Sequence, residues 1–253
     1  MADPAPRPTL VELAAARFVG ADIWRAEKLL FESTERGEKA ECSDLPEDQR
    51  CIRSNRITWL CSDPNASNRV THLGIWLIDA EIDGDTDLEH VNIAFPLRAH
   101  KCKFGGAVNL TRSHLAFLDL AGSTVDGIDA NGMHVDGDVF LADGFTATKA
   151  VDLVGATVTG DLDCHDGHFA TVTEAPAFGA NAAVINGSVF LFRGFSAAGG
   201  ASLSFTTIGG DLICDGGEFV SQRNAPALAI NSSKIQRNLL LSQCSAISFV
   251  LIR

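Results

Sequence analysis

From about residue 71 onward the chain repeats one short pattern: two or three apolar residues at alternate positions, bounded by Gly, Asp or Asn. In Gly137-Asp138-Val139-Phe140-Leu141 and Gly160-Asp161-Leu162-Asp163-Cys164 the alternation is that of a short strand with one buried face. The flanking Gly, Asp and Asn supply turn conformations. Before residue 71 the spacing is helical. Thr9-Leu-Val-Glu12 has the form of a capping box, with Pro8 before it and Gly20 after the apolar stretch. Ile23, Ala26, Leu29 and Leu30 share one helical face over residues 21–35, and Asp44 to Cys61 reads as a third helix stopped by Asp63-Pro64.

The strand pattern belongs to a longer repeat. Residues 135–184 and 185–234 align without a gap and are identical at 19 of 50 positions, among them Phe140/Phe190, Phe145/Phe195, Leu153/Leu203, Leu162/Leu212, Cys164/Cys214, Phe169/Phe219 and Pro176/Pro226. Each unit contains an inner echo, Val135 to Phe145 and Val158 to Phe169, so it reads as two coils of about 25 residues. Ile82 to Val91 and Phe104 to Leu115 fit the same template, and a further unit opens at Ile235. Such a spacing predicts coils stacked about 4.8 Å apart, with equivalent side chains laddered inside a tube, Phe on Phe and Leu on Leu.

The fold expected is therefore all-β: a right-handed parallel β-solenoid over residues 71–253, behind a small α-helical cap over residues 1–70 that covers the first strand edge. Units without hairpin signals exclude propeller blades, and no leucine-rich consensus is visible.

The motifs GDVFL, GF, LVGA and GDLDC, with the stretch from Ile52 to Phe104, resemble a bacterial family of pentapeptide-repeat-like β-solenoid proteins. Members are sometimes labelled membrane-associated oxidoreductases. The resemblance implies the solenoid and carries no catalytic residue onto this chain. Strict five-residue spacing survives only in Leu115, Leu120, Val125, Ala130, Val135, Phe140 and Phe145.

Composition narrows the partners. The net charge is −12, which leaves no basic footprint for direct nucleic-acid binding. No apolar run reaches the ~18 residues of a membrane span, and the N-terminus lacks the features of a signal peptide. Seven Cys without a paired short spacing read as reduced thiols, so a cytoplasmic location is expected, with association to a membrane surface left open.

Several groups invite a chemical reading and are better explained by structure. Asp163-Cys164-His165-Asp166-Gly167-His168 is the densest set of metal-ligand types, yet its repeat mate, residues 213–218, keeps only the Cys, and the spacing suits a strand end and a turn. Cys164 and Cys214 read as small buried hydrophobes two coils apart, too distant for a disulfide. Cys42, Cys51 and Cys61 match no zinc spacing. Asp85, Asp138, Asp161 and Asp211 are expected on one face as turn-forming carboxylates, solvated or bonded to their own backbone. Trp24, Trp59 and Trp76 are expected to pack in the core or cap. GxSxG, GxxxxGK[ST] and a strand-linked GxGxxG are absent. The sequence thus names no catalytic residue, no cofactor and no metal ligand.

Three functions remain in view. The first is a non-enzymatic scaffold that binds an unknown protein, with end-to-end self-association through the apolar residues Ile247, Phe249, Val250, Leu251 and Ile252. The second is an acidic DNA mimic acting on a nucleic-acid enzyme such as gyrase. The third is a β-helix enzyme for a polysaccharide or a redox substrate.

Overall fold

The computed structural model describes residues 7–221, 225–246 and 250–251. It is a parallel β-solenoid of about seven turns, entered through a few short helices. One coil shows the plan. Thr124–Val125, Ile128–Asp129, His134–Val135 and Val139–Phe140 lie on four successive faces, and Thr146–Ala147 returns to the first. Every strand pairs in parallel with its equivalents in the coils before and after it. Faces three and four merge into one sheet because Asn92–His100 and His114–Asp119 run across both.

The two-coil period has a steric cause. Val135, Val158, Ile185, Ile208 and Ile235 stack in register on face three, 23, 27, 23 and 27 residues apart. The longer coils gain their extra length between faces one and two, where eight positions rather than three or four separate the end of one strand from the start of the next, as from Ala170 to Phe178 and from Val220 to Leu228. Side-chain size alternates with the same period. On face one the inward rung reads Ala147, Phe169, Ala197, Phe219. Two residues earlier the order is reversed: Phe145, Gly167, Phe195, Gly217. A Cβ on Gly167 would sit 2.8 Å from the Phe169 ring and 2.7 Å from the Leu141 carbonyl, and Gly217 is equally confined by Phe219 and Leu191. Each coil thus offers one large and one small residue at this corner, and its neighbours take the complementary order. The rings of Phe145, Phe169, Phe195 and Phe219 form a continuous buried column with centroids 5.3–5.5 Å apart.

Phe140 and Phe190 depart from expectation. Both lie on the expected equivalent strands of face four but point outward, because Val139 and Leu141, or Val189 and Leu191, take the two inward positions. Leu162 and Leu212 do stack inside, with Val189 between them.

The cap comprises α1 (Leu10–Arg17), α2 (Arg25–Arg36), α3 (Ser54–Ser62) and the single turn α4 (Pro64–Ser67). The capping box at Thr9 and Glu12 forms in both directions. The expected helix from Asp44 to Cys61 is broken. Its first part makes 3₁₀ turns, and Cys51–Arg53 is a strand paired with Glu81–Asp83. There Ile52 points inward opposite Ile82 and begins the core of face one. Ala40–Glu41 likewise pairs with Ile75–Ile78. The helices thus share the core of the first coil. Glu27 on α2 lies at the junction, wholly buried between Arg53 Nε at 2.7 Å and Arg56 Nε at 3.2 Å.

Among the described residues no helix is long and apolar enough to cross a membrane. Of the apolar C-terminal stretch, Val250–Leu251 extends face two opposite Leu228–Ala229, whereas Ile247, Phe249 and Ile252 lie outside the described residues.

Candidate interaction face and polar clusters

Face four carries an outward row whose order is fixed by strand register: Trp76, Arg98, Asp119, Phe140, Asp163, Phe190, Ile213 and Leu240. Eight rungs at the usual strand spacing span about 34 Å. The aromatic members do not sink inward, since the inward positions are taken, and they stack sideways. Phe117 packs on Phe140 at 5.7 Å, and Phe192 on Phe190 at 6.0 Å. The Arg98 guanidinium lies 4.9 Å from the Phe117 ring centre and 5.3 Å from that of Trp76, and Lys39 covers Trp76 at 4.3 Å. Trp76 is thus half-exposed on the solenoid wall rather than in the core. Trp24 is also partly exposed, stacked under Arg53, and Trp59 alone packs fully, against Phe18 and Phe31.

Polar groups edge this row where the chain turns from face four to face one. His100 Nε2 meets Asp119 at 2.7 Å. A shallow depression of ≈ 420 Å³ opens beside them, bounded by Lys101, Phe140 and Asp143. His165 lies between two carboxylates, Asp163 at 2.8 Å and Asp143 at 3.0 Å, with Phe192 against its ring at 5.7 Å. Burial pulls the imidazole pKa down, but Asp163 and Asp143 outweigh it and hold the value above the ordinary one.

The cluster from Asp163 to His168 does not converge. Asp163 and His165 face outward, Cys164 is sealed in the core, Asp166 forms the corner with φ +54°, and His168, already on face one, bonds its register partner Ser196 in the following coil. Burial drives the Cys164 thiol far above its ordinary pKa. It does the same to Cys42, to about 11, and to Cys61 and Cys102, each to about 12. Leu191 separates Cys164 from Cys214 in the inner ladder.

The four expected carboxylates do not share one face. Asp138, Asp161 and Asp211 stand at the corner between faces three and four, whereas Asp85 stands between faces one and two. Nor do they cap their own turns. Each accepts a backbone N–H from the following coil: Asp85 from Ala107, Asp138 from Asp161, Asp161 from Ser188, and Asp211 from Asn238, at 2.7–2.9 Å. Ser188 Oγ continues the series by accepting from Asp211 N–H. Carboxylates that do bond their own turn, among them Asp119, Asp129, Asp152 and Asp163, lie at other corners.

Face three holds a group that the sequence reading passed over. His114 and His134 are register partners, and Asp136 lies two residues after His134 on the same outer surface. Both imidazole Nε2 atoms point at Asp136 Oδ1, from 3.0 and 3.1 Å. The rings meet edge to face at 4.6 Å. The signal available was the step of one coil: residue 114 plus the 20 residues of the shortest coil is residue 134.

Comparison with family models, with curated proteins and with solved structures finds no match for this chain, so its parallel β-solenoid, consistent with a pentapeptide-repeat-like fold, is the level at which it is identified.

Proposed function

We propose that the chain is a non-enzymatic scaffold that binds a protein partner along the outer surface of face four. The supporting observation is the in-register outward row from Trp76 to Leu240, in which Phe140, Phe190, Ile213 and Leu240 interleave with Arg98, Asp119 and Asp163. Aromatic residues and Arg are the types enriched at the centres of protein interfaces. A parallel solenoid holds them on a flat wall with little ordering left to do on binding. The mixture of signs along the row favours a protein over the DNA-mimic reading, which needs a continuous acidic surface.

The test pairs capture with face-specific variants. Wild type, a Phe140→Asp/Phe190→Asp double variant and a Thr157→Asp control on face three are immobilised and exposed to the native proteome. A partner held by wild type and the control but lost by the double variant supports the reading. Identical retention on all three baits overturns it.

A further inference from the structure

We propose that His114, His134 and Asp136 form a binding site for a borderline divalent cation, Zn²⁺ in the first instance, on the outer surface of face three. The argument is independent of the scaffold reading, because it concerns a different face and a different chemistry.

The backbone supplies the convergence. A parallel rung sets His114 and His134 side by side, and the two-residue period of the strand returns Asp136 to the same surface. The three ligand atoms lie within 4.8 Å of one another, with each nitrogen 3.0–3.1 Å from Asp136 Oδ1. Metal–ligand bonds of 2.0–2.1 Å in a tetrahedron place neighbouring ligands about 3.3 Å apart. The nitrogen-to-oxygen edges are therefore already within a few tenths of an ångström of a zinc site.

The donor set selects the metal. Two imidazoles and one carboxylate suit Zn²⁺ and its neighbours, whereas Ca²⁺ and Mg²⁺ need oxygen ligands throughout. All three side chains are about half exposed, so water completes the coordination and one position stays exchangeable. Asp136 supplies the oxygen: its Oδ1 is the one atom that both imidazoles already face. The Nε2–H groups that face Asp136 in the empty site give up their protons when the cation takes the Nε2 lone pairs, and each ring then carries its proton on Nδ1.

The fold does not demand these residues. Along the same outward row the following coils carry Thr157, Val184, Thr207 and Lys234, and in place of Asp136 they carry Thr159, Asn186, Gly209 and Gln236. Thr and Val are ordinary strand formers, and the paired imidazoles with their carboxylate occur on one pair of rungs.

The test is calorimetric titration of the untagged, chelator-stripped chain with ZnCl₂. The expected result is one equivalent bound, with affinity reduced at least about tenfold in His114→Ala and in His134→Ala and unchanged in His165→Gln. Titration with Co²⁺ in parallel reads the same site through its ligand-field absorption, which should lack thiolate charge-transfer bands. The half-exposed positions keep the variants folded, checked by circular dichroism. Absence of binding to wild type, or binding that survives in His114→Ala and His134→Ala, overturns the proposal.

Discussion

Asp138 Oδ1 accepts the backbone N–H of Asp161 at 2.8 Å, one coil further along the tube. The relation passes on: Asp161 takes the N–H of Ser188 at 2.7 Å. A corner where the backbone turns out of the ladder is thereby stitched to the next coil by side chains.

Asp161→Ala leaves the Ser188 N–H without its acceptor at a half-buried corner. The expected loss is about 1–3 kcal/mol of unfolding free energy, the range for a donor left without its acceptor. Asp161→Asn keeps an acceptor oxygen and should recover most of it. Chemical denaturation of the three proteins measures both. Equal stability of wild type and the Ala variant would show that solvent satisfies the donor.

Phe195 and Phe190 lie five residues apart and serve opposite surfaces. Phe195 is wholly buried between Phe169 and Phe219, whereas Phe190 lies on the outer wall of face four. Phe195→Ala opens a cavity in the column and should cost about 3–5 kcal/mol. Phe190→Ala should cost less than about 1.5 kcal/mol, since it removes only partial packing against Phe192. Similar losses in both variants would contradict the assigned facing.

The contrast between these two rings shows what the sequence carried. The stacking of equivalent residues was legible, because 19 shared positions over 50 residues require one coil to repeat the environment of another. The facing of Phe140 and Phe190 was not, because Val-Phe-Leu is apolar throughout and offers no alternation to phase. Cys51–Arg53 hid as helix because a three-residue strand with one inward Ile52 is too short to show a period. His114 and His134 escaped notice because their rung lies in the diverged coil before residue 135, and the repeat alignment that exposed the fold does not reach it.

Glu27 ties α2 to the first coil through Arg53 and Arg56, and Arg56 is itself buried. Burial works against the Glu27 carboxylate, but Arg53, the Trp24 N–H and Arg56 outweigh it and hold the pKa below the ordinary value. Glu27→Gln strands two guanidinium groups and should cost about 3–5 kcal/mol. Glu32→Gln, which touches only exposed Lys28 and Arg36 on the same helix, should change stability by less than about 0.5 kcal/mol. Denaturant midpoints of the two variants check the contrast.

His165 gives the fold a pH dependence of defined sign. Its folded pKa is raised, so the protonated ring is favoured by folding. The stabilisation is complete below the unfolded value of about 6.5 and is lost as pH rises through the folded value. The stability gap between wild type and His165→Gln should therefore be widest near pH 5.5 and narrow by about pH 8. A gap that widens with pH would reverse the assignment of Asp163 and Asp143 as its partners.

The cysteines should divide by burial rather than by sequence neighbourhood. Cys42, Cys61, Cys102, Cys164 and Cys214 are buried, and Cys51 and Cys244 are half-buried. The thiolate is the reactive form, and burial raises the pKa of all seven, least where solvent still reaches the sulfur. The polar neighbours of Cys164, including His165, do not activate it, because they face outward while its sulfur faces the core. Titration of the native chain with an aromatic disulfide reagent near pH 8 should modify Cys51 and Cys244 first, and the remaining five only after denaturation. Rapid native labelling of Cys164 would mean that the coil opens there, and would contradict the burial of its sulfur in the core.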